Sequence, residues 1–348
     1  MITSTGFRML VALAFLAGAD VAVSQEPAPP QPPPDDGGAT VRSLNTGYGP
    51  LRLGSQSPYQ SVRYGIDPRT PSTLMKDEWE VHVSESWSNT FVYDTDHSIL
   101  LDYEMLDTRL SLAYGVTEAL SLEFEWENRI LFGGVMDRFI NAFHRTFGLT
   151  DAGRHNFPRN QIQIQVPDDK GNPATNIDSS FSTNSLILTT EYMWTPGSET
   201  WPAFSTAISL RANLDNHLDI SGRMPVEPLI SISGSKSVWE LYFYATLAFG
   251  YFGTEHIGDI DLRSTQWSGV LATEWRFTSN MSLILQYLWS KGVAQGKGDF
   301  SQSSNEITLG WKWELAPKTV FEFGLIENII NFDNSPDFGV HLGLMFRF

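Results

Sequence analysis

Three glutamates stand at alternate positions, Glu123, Glu125 and Glu127, with Arg129 two residues further on. In an extended chain this spacing sends all four side chains to one face. Such a face can line a water-filled wall, attract cations, or pair its carboxylates with arginines. A second alternation, His82-Val83-Ser84, puts an imidazole beside a hydroxyl, the two groups from which a base-activated nucleophile is built. Asp94, Asp96 and His97, or Asp259 and Asp261, could offer oxygen ligands to a divalent cation. Neither group has enough ligands at a recognised spacing. Both read as solvated turn residues, and no metal or cofactor is expected.

The elements that must carry these residues are strands. Trp79, Val81, Val83 and Trp87 alternate with Glu80, His82, Ser84 and Ser86; Leu120, Leu122, Phe124 and Trp126 alternate with Ser121, Glu123, Glu125 and Glu127. The chain closes on Phe338, Val340, Leu342, Leu344, Phe346 and Phe348, interleaved with Gly339, His341, Gly343, Met345 and Arg347. A period of two is the strand signature. Further candidates run over 106–114, 186–194, 204–214, 229–236, 241–251, 267–277, 281–289, 307–313 and 320–325. Each is near the roughly 9 to 11 residues of a tilted membrane strand, and together they number about twelve, an even count as single-chain outer-membrane barrels require.

Connection lengths sort the same way. Short links (YGVTEA, TPGSETWP, GSKS, FTSN, LAPKT) alternate with longer ones, as periplasmic turns and outer loops do. Tyr114, Trp126, Trp194, Trp239, Tyr251, Trp267, Trp275 and Trp289 fall at strand ends, where membrane barrels carry aromatic girdles. The expected fold is therefore all-β, a transmembrane antiparallel barrel with a helical outer loop and both termini in the periplasm. A soluble sandwich or propeller is the competing architecture, but glutamates at every other position would be ruinous in its core.

Ahead of residue 78 lie three other pieces. Arg8, the apolar run Met9 to Ala19 and the small residues Ala22, Val23 and Ser24 read as a cleavable leader over 1–24. Residues 25–38 are a proline-rich linker. Residues 39–77 lack sustained alternation and carry Arg42, Arg52, Arg63 and Arg69, so they form either a periplasmic arm or a hatch inside an acidic lumen. The barrel takes 78–348. A net charge of −17 excludes nucleic acid as a natural partner.

With large apolar side chains facing lipid, the lumen is lined by Glu80, Arg109, Glu123, Glu125, Glu127, Arg129, Glu191, Arg211, Glu274, Arg276, Glu306, Lys312 and Glu322. Parity puts His82 and Ser84 on that same inner face, which makes a membrane-embedded lipid hydrolase the least favoured reading. In the longest loop Phe139, Phe143 and Phe147 form a helical stripe with Met136 and Ile140. Arg138, His144, Arg145, Arg154, His155 and Arg159 make that loop basic. It could plug the mouth or pair with phosphates of outer-leaflet lipid.

Two stretches carry a resemblance. FGLTDAGRHNFP, Phe147 to Pro158, and GPLRLGSQSPYQ, Gly49 to Gln60, are similar to motifs of an uncharacterised proteobacterial outer-membrane β-barrel family, the domain of unknown function 3187. The resemblance implies an outer-membrane barrel and brings no catalytic residues. The closing strand also resembles those of outer-membrane barrels generally, which implies that Phe348 is read by the barrel assembly machinery. The function expected is a channel or transporter for small solutes with an acidic lumen. The alternative is a non-conducting structural or surface-interaction barrel.

Overall fold

The computed structural model describes residues 46–58, 60–72, 74–94, 99–147, 154–167, 173–215, 220–257, 260–296, 301–328 and 334–348. The expected leader and linker lie outside them.

Twelve long strands follow in order. They are β1 (Trp79–Asp94), β2 (Ile99–Thr117), β3 (Leu120–Phe132), β6 (Phe181–Thr195), β7 (Ala203–Asn213), β8 (Val226–Val238), β9 (Leu241–Tyr251), β12 (Thr265–Arg276), β13 (Met281–Ser290), β14 (Ser304–Ala316), β15 (Thr319–Asn328) and β16 (Phe338–Arg347). Two small hairpins, β4 (Gln163–Pro167) with β5 (Pro173–Ile177) and β10 (His256–Ile257) with β11 (Ile260–Asp261), sit in the long loops. Each long strand pairs antiparallel with its sequence neighbour, and β1 pairs with both β2 and β16, so the sheet closes on itself. Closure leaves the twelve barrel strands without a free edge. All twelve barrel strands lie where the alternation predicts them, and the fold is the expected antiparallel barrel.

Alternation sets the two faces. On β3 the side chains of Glu123, Glu125, Glu127 and Arg129 are buried, while Leu122, Phe124, Trp126 and Ile130 are exposed on the other side. The outer surface is an apolar band that only lipid would cover. Aromatic pairs mark its rims: Trp79 with Tyr114 and Trp275 with Phe277 at the short-turn end, Phe249 with Trp267 at the long-loop end.

The long loops fold inward over their end of the barrel. Leu101, Tyr103 and Met105 of β2, Leu131 of β3, Ile164 of β4, and Ile220, Ile257, Ile260, Leu262 and Val293 form one buried apolar cluster. β4 extends the sheet there by pairing with Leu100, Leu101 and Asp102. The sequence underestimated β2, because Asp102 and Glu104 interrupt the apolar face at its outer end.

Helix α1 (Asp137–Phe147) departs from one expectation. It does not fold over the mouth as a plug. Met136 and Ile140 bury against Phe338, with Trp87, Leu325 and Val340 packed beside them, and these are outward-facing residues of β1, β15 and β16. The apolar stripe found an apolar wall on the lipid side rather than the charged interior. Gly134, at φ +67, turns the chain into the helix, and the Glu104 carboxylate accepts hydrogen bonds from the Val135 and Met136 N–H groups. Trp87 Nε1 donates to its other oxygen at 2.6 Å.

Candidate functional site

The barrel interior is occupied by residues 46–58 and 60–72, a segment outside the sheet ladders that turns near residues 60–63 and whose side chains are mostly buried. Its own turns meet the N–H groups of Leu53, Ser61, Arg63 and Ser72, and other buried backbone donors need side-chain partners. Inward-facing groups supply them. Tyr244 Oη accepts from the Gly47 N–H at 2.8 Å, and the Glu274 carboxylate takes the N–H groups of Tyr48 and Gly49 at 3.0 Å each. Gln286 Oε1 accepts from Leu51 at 3.0 Å, Glu306 from Gln56 at 2.9 Å, and Glu227 from Tyr64 at 2.8 Å. In return Lys312 Nζ donates to the carbonyls of Tyr48 and Pro50.

Apolar contacts alternate with these bonds. Leu51 and Leu53 pack on Ile284 and Ile326, and Tyr64 and Ile66 on Ile187, Leu229, Val270 and Leu288. Room for Leu51 comes from Gly310 and Gly324: a Cβ on Gly310 would lie 2.4 Å from Leu51 Cδ1.

Charge closes the arrangement. Arg52 reaches Asp67 at 2.8 Å and Glu123 at 2.6 Å, Arg69 reaches Asp67 at 2.6 Å, and Arg69 also pairs with Glu123. Burial alone would push the Asp67 carboxyl up, but the two guanidinium groups outweigh it and hold the group below its ordinary value. Arg63, with no exposed surface, donates to Glu255 at 2.6 Å and stacks on Phe252.

A second network ties the wall to itself. Arg109 contacts Asp107, Glu125 and Glu127; Arg129 contacts Asp107 and Glu127; Arg211 bridges Glu127 and Glu227. Lys312 pairs with Glu322 at 2.8 Å, and Arg347 with Glu80 at 2.6 Å. Glu191 accepts from Ser205 at 2.7 Å. Of the residues expected to line the lumen, Arg276 alone is half-buried, stacked on Tyr48 at the short-turn rim; the rest are buried. Asp107 and Glu227 belong with them. The sequence reading passed over both, although Asp107 shares a face with Arg109 and the parity rule would have included it.

A cavity of about 50 Å³ remains between the apolar cluster and Arg129, Arg211 and Arg223. His82 and Ser84 are buried in the interior, away from any lipid substrate. Asp261 pairs with His256 at 2.6 Å, while the side chains of Asp94, Asp96, His97 and Asp259 lie outside the described residues, as do those of His144 and His155. Arg138, Arg145 and Arg159 are exposed, whereas Arg154 is buried against Asp137 at 3.4 Å and Asp337 at 2.8 Å.

A closed antiparallel barrel, apolar outside and charged inside, defines the class: a β-barrel of the outer-membrane type. The family described as "Protein of unknown function (DUF3187)" matches residues 40–348, and the chain belongs to it. None of the curated proteins matches the sequence. Among solved structures, the "COG4313 outer membrane channel from Pseudomonas putida F1" is similar at 13% identity over 81% of this chain and 100% of that one, with a TM-score of 0.53. The NanC porin is similar at 9% identity over 77% and 98%, TM-score 0.44, and the KdgM porin at 7% over 77% and 99%, TM-score 0.42. The first of these shares the barrel fold.

Proposed function

We propose that the protein is an outer-membrane channel for small solutes that its own N-terminal segment holds shut. One observation carries this reading: Tyr48, Leu51, Arg52, Gln56 and Tyr64 hydrogen-bond to the inward-facing Glu274, Gln286, Glu123, Glu306 and Glu227. A tether lying beneath the barrel would need none of these bonds. Withdrawal of the segment would carry Arg52, Arg63 and Arg69 out of the tube. Glu80, Asp107, Glu123, Glu125, Glu127, Glu191, Glu227, Glu274, Glu306 and Glu322 would then still outnumber Arg109, Arg129, Arg211, Arg223, Arg276, Lys312 and Arg347. The open lumen would be acidic and favour small cations.

In this reading the short turns and both termini face the periplasm, the leader delivers the chain there, and the assembly machinery recognises Phe348. A second reading, a structural barrel that never conducts, draws support from the density of ion pairs between the wall's own residues. Planar bilayers separate the two. The full chain should stay closed, and the chain lacking 46–72 should conduct with a cation-selective reversal potential. A folded but silent deletion barrel would favour the structural reading.

A further inference from the structure

We propose that helix α1 is a docking site for a bisphosphorylated glycolipid of the outer leaflet. The surface is separate from the lumen, and the inference stands whether or not the barrel conducts. Met136 and Ile140 fasten the helix to the lipid-facing wall, and the Phe139 ring lies 5.3 Å from that of Phe338. Beside that seat the helix presents further apolar surface to the outside: Val135 is 64% exposed and Phe139, although its ring edges that of Phe338, is 52% exposed. An apolar face on a helix already packed against a membrane wall fits acyl chains, the pattern of an interfacial helix.

Arg138 and Arg145 flank that face along one edge. They are seven positions apart, two helical turns or about 10.5 Å along the axis. Neither has an ion-pair partner among the described residues, whereas neighbouring Arg154 is saturated by Asp137, Asp337 and Asn89. On a chain of net charge −17, two unpaired cations at fixed spacing call for an anionic partner. A phosphate at each end of an acylated disaccharide meets both arginines while its chains cover Val135 and Phe139. Long arginine stems allow the charges to rise to headgroup level.

The test is native mass spectrometry of the purified full chain in detergent, titrated with bisphosphorylated lipid A, monophosphoryl lipid A and phosphatidylglycerol. The wild type should prefer the bisphosphorylated form. The pair R138Q/R145Q should bind it about 10-fold or more weakly and lose the preference, while R138K/R145K keeps most of it. Phe139→Ser should weaken both lipid A forms alike. These side chains are exposed, so heat-modifiable migration of the barrel should not change. Equal wild-type binding of all three lipids, or unchanged binding by the Gln pair, would overturn the proposal.

Discussion

The tube is closed twice, by opposite means. Along its length polar bonds set the closure, between patches of apolar contact: Arg52 and Arg69 clamp Asp67 and Glu123, and carboxylates accept from the backbone of Tyr48, Gly49, Gln56 and Tyr64. At the long-loop end it is apolar, with Tyr103, Met105, Ile164, Ile257, Ile260 and Val293 packed together. The polar closure is directional. Removing one partner strands the other, because a buried charge without its counter-ion is costly. The apolar closure depends on area and shape, and loses stability in proportion to the volume removed. A device that must open benefits from the first kind, since water and ions can replace each bond as it breaks. The second suits a lid that keeps large molecules out.

The largest effect should come from removing the polar closure entirely, as the bilayer experiment above specifies. Next is Glu123→Gln, which removes one of the two carboxylates that Arg52 and Arg69 share. The segment should lose about 3–5 kcal/mol of local stability, seen as faster tryptic cleavage near Arg52 and Arg69. Cleavage at the wild-type rate would mean that the clamp contributes little. Ile260→Ala, with the side chain fully buried in the cap, should cost about 2–4 kcal/mol. It should raise protease sensitivity of the outer loops on whole cells without changing cleavage in the lumenal segment. If both closures loosened together, they would form one cooperative unit and the contrast would fail.

Smaller effects sharpen the picture. Gly134→Ala introduces a Cβ at positive φ, about 1–2 kcal/mol, and drives it into the Glu104 carboxylate. Hydrogen exchange should rise in helix α1 and stay unchanged in the barrel. The smallest effect is with acid. Asp67 has a depressed pKa, so its contribution is fully present above its unfolded value of about 3.9 and is lost only as pH falls below that. The part of the segment's protection that the Asp67 clamp supplies should therefore be flat from neutral pH to about 4.5. Loss of protection already at mildly acid pH would assign the closure to another group.

The barrel strands were legible because a sheet with lipid on one side and charge on the other writes a period of two into the chain. Trp126 and Leu210 point outward while Glu125 is buried, as that alternation requires. Other features were not legible. Residues 49–64 show no periodicity, since their partners are side chains spread over strands all around the barrel, so arm and hatch stood level in the sequence. The stripe of Met136 and Ile140 announced a helix and said nothing about which apolar wall it would meet. Arg154 looked like its neighbours Arg138 and Arg159, yet among the described residues Arg154 is the one of the three with carboxylates within reach.

Alternation along each segment is a local property, and it alone determined the barrel, its strand number and the sign of each face. The partners of the inward charges, the path of the N-terminal segment and the seat of helix α1 were decided by tertiary structure. Ion pairs such as Arg63 with Glu255 join residues 192 positions apart, and no local pattern records which of many carboxylates closure of the sheet will bring within reach.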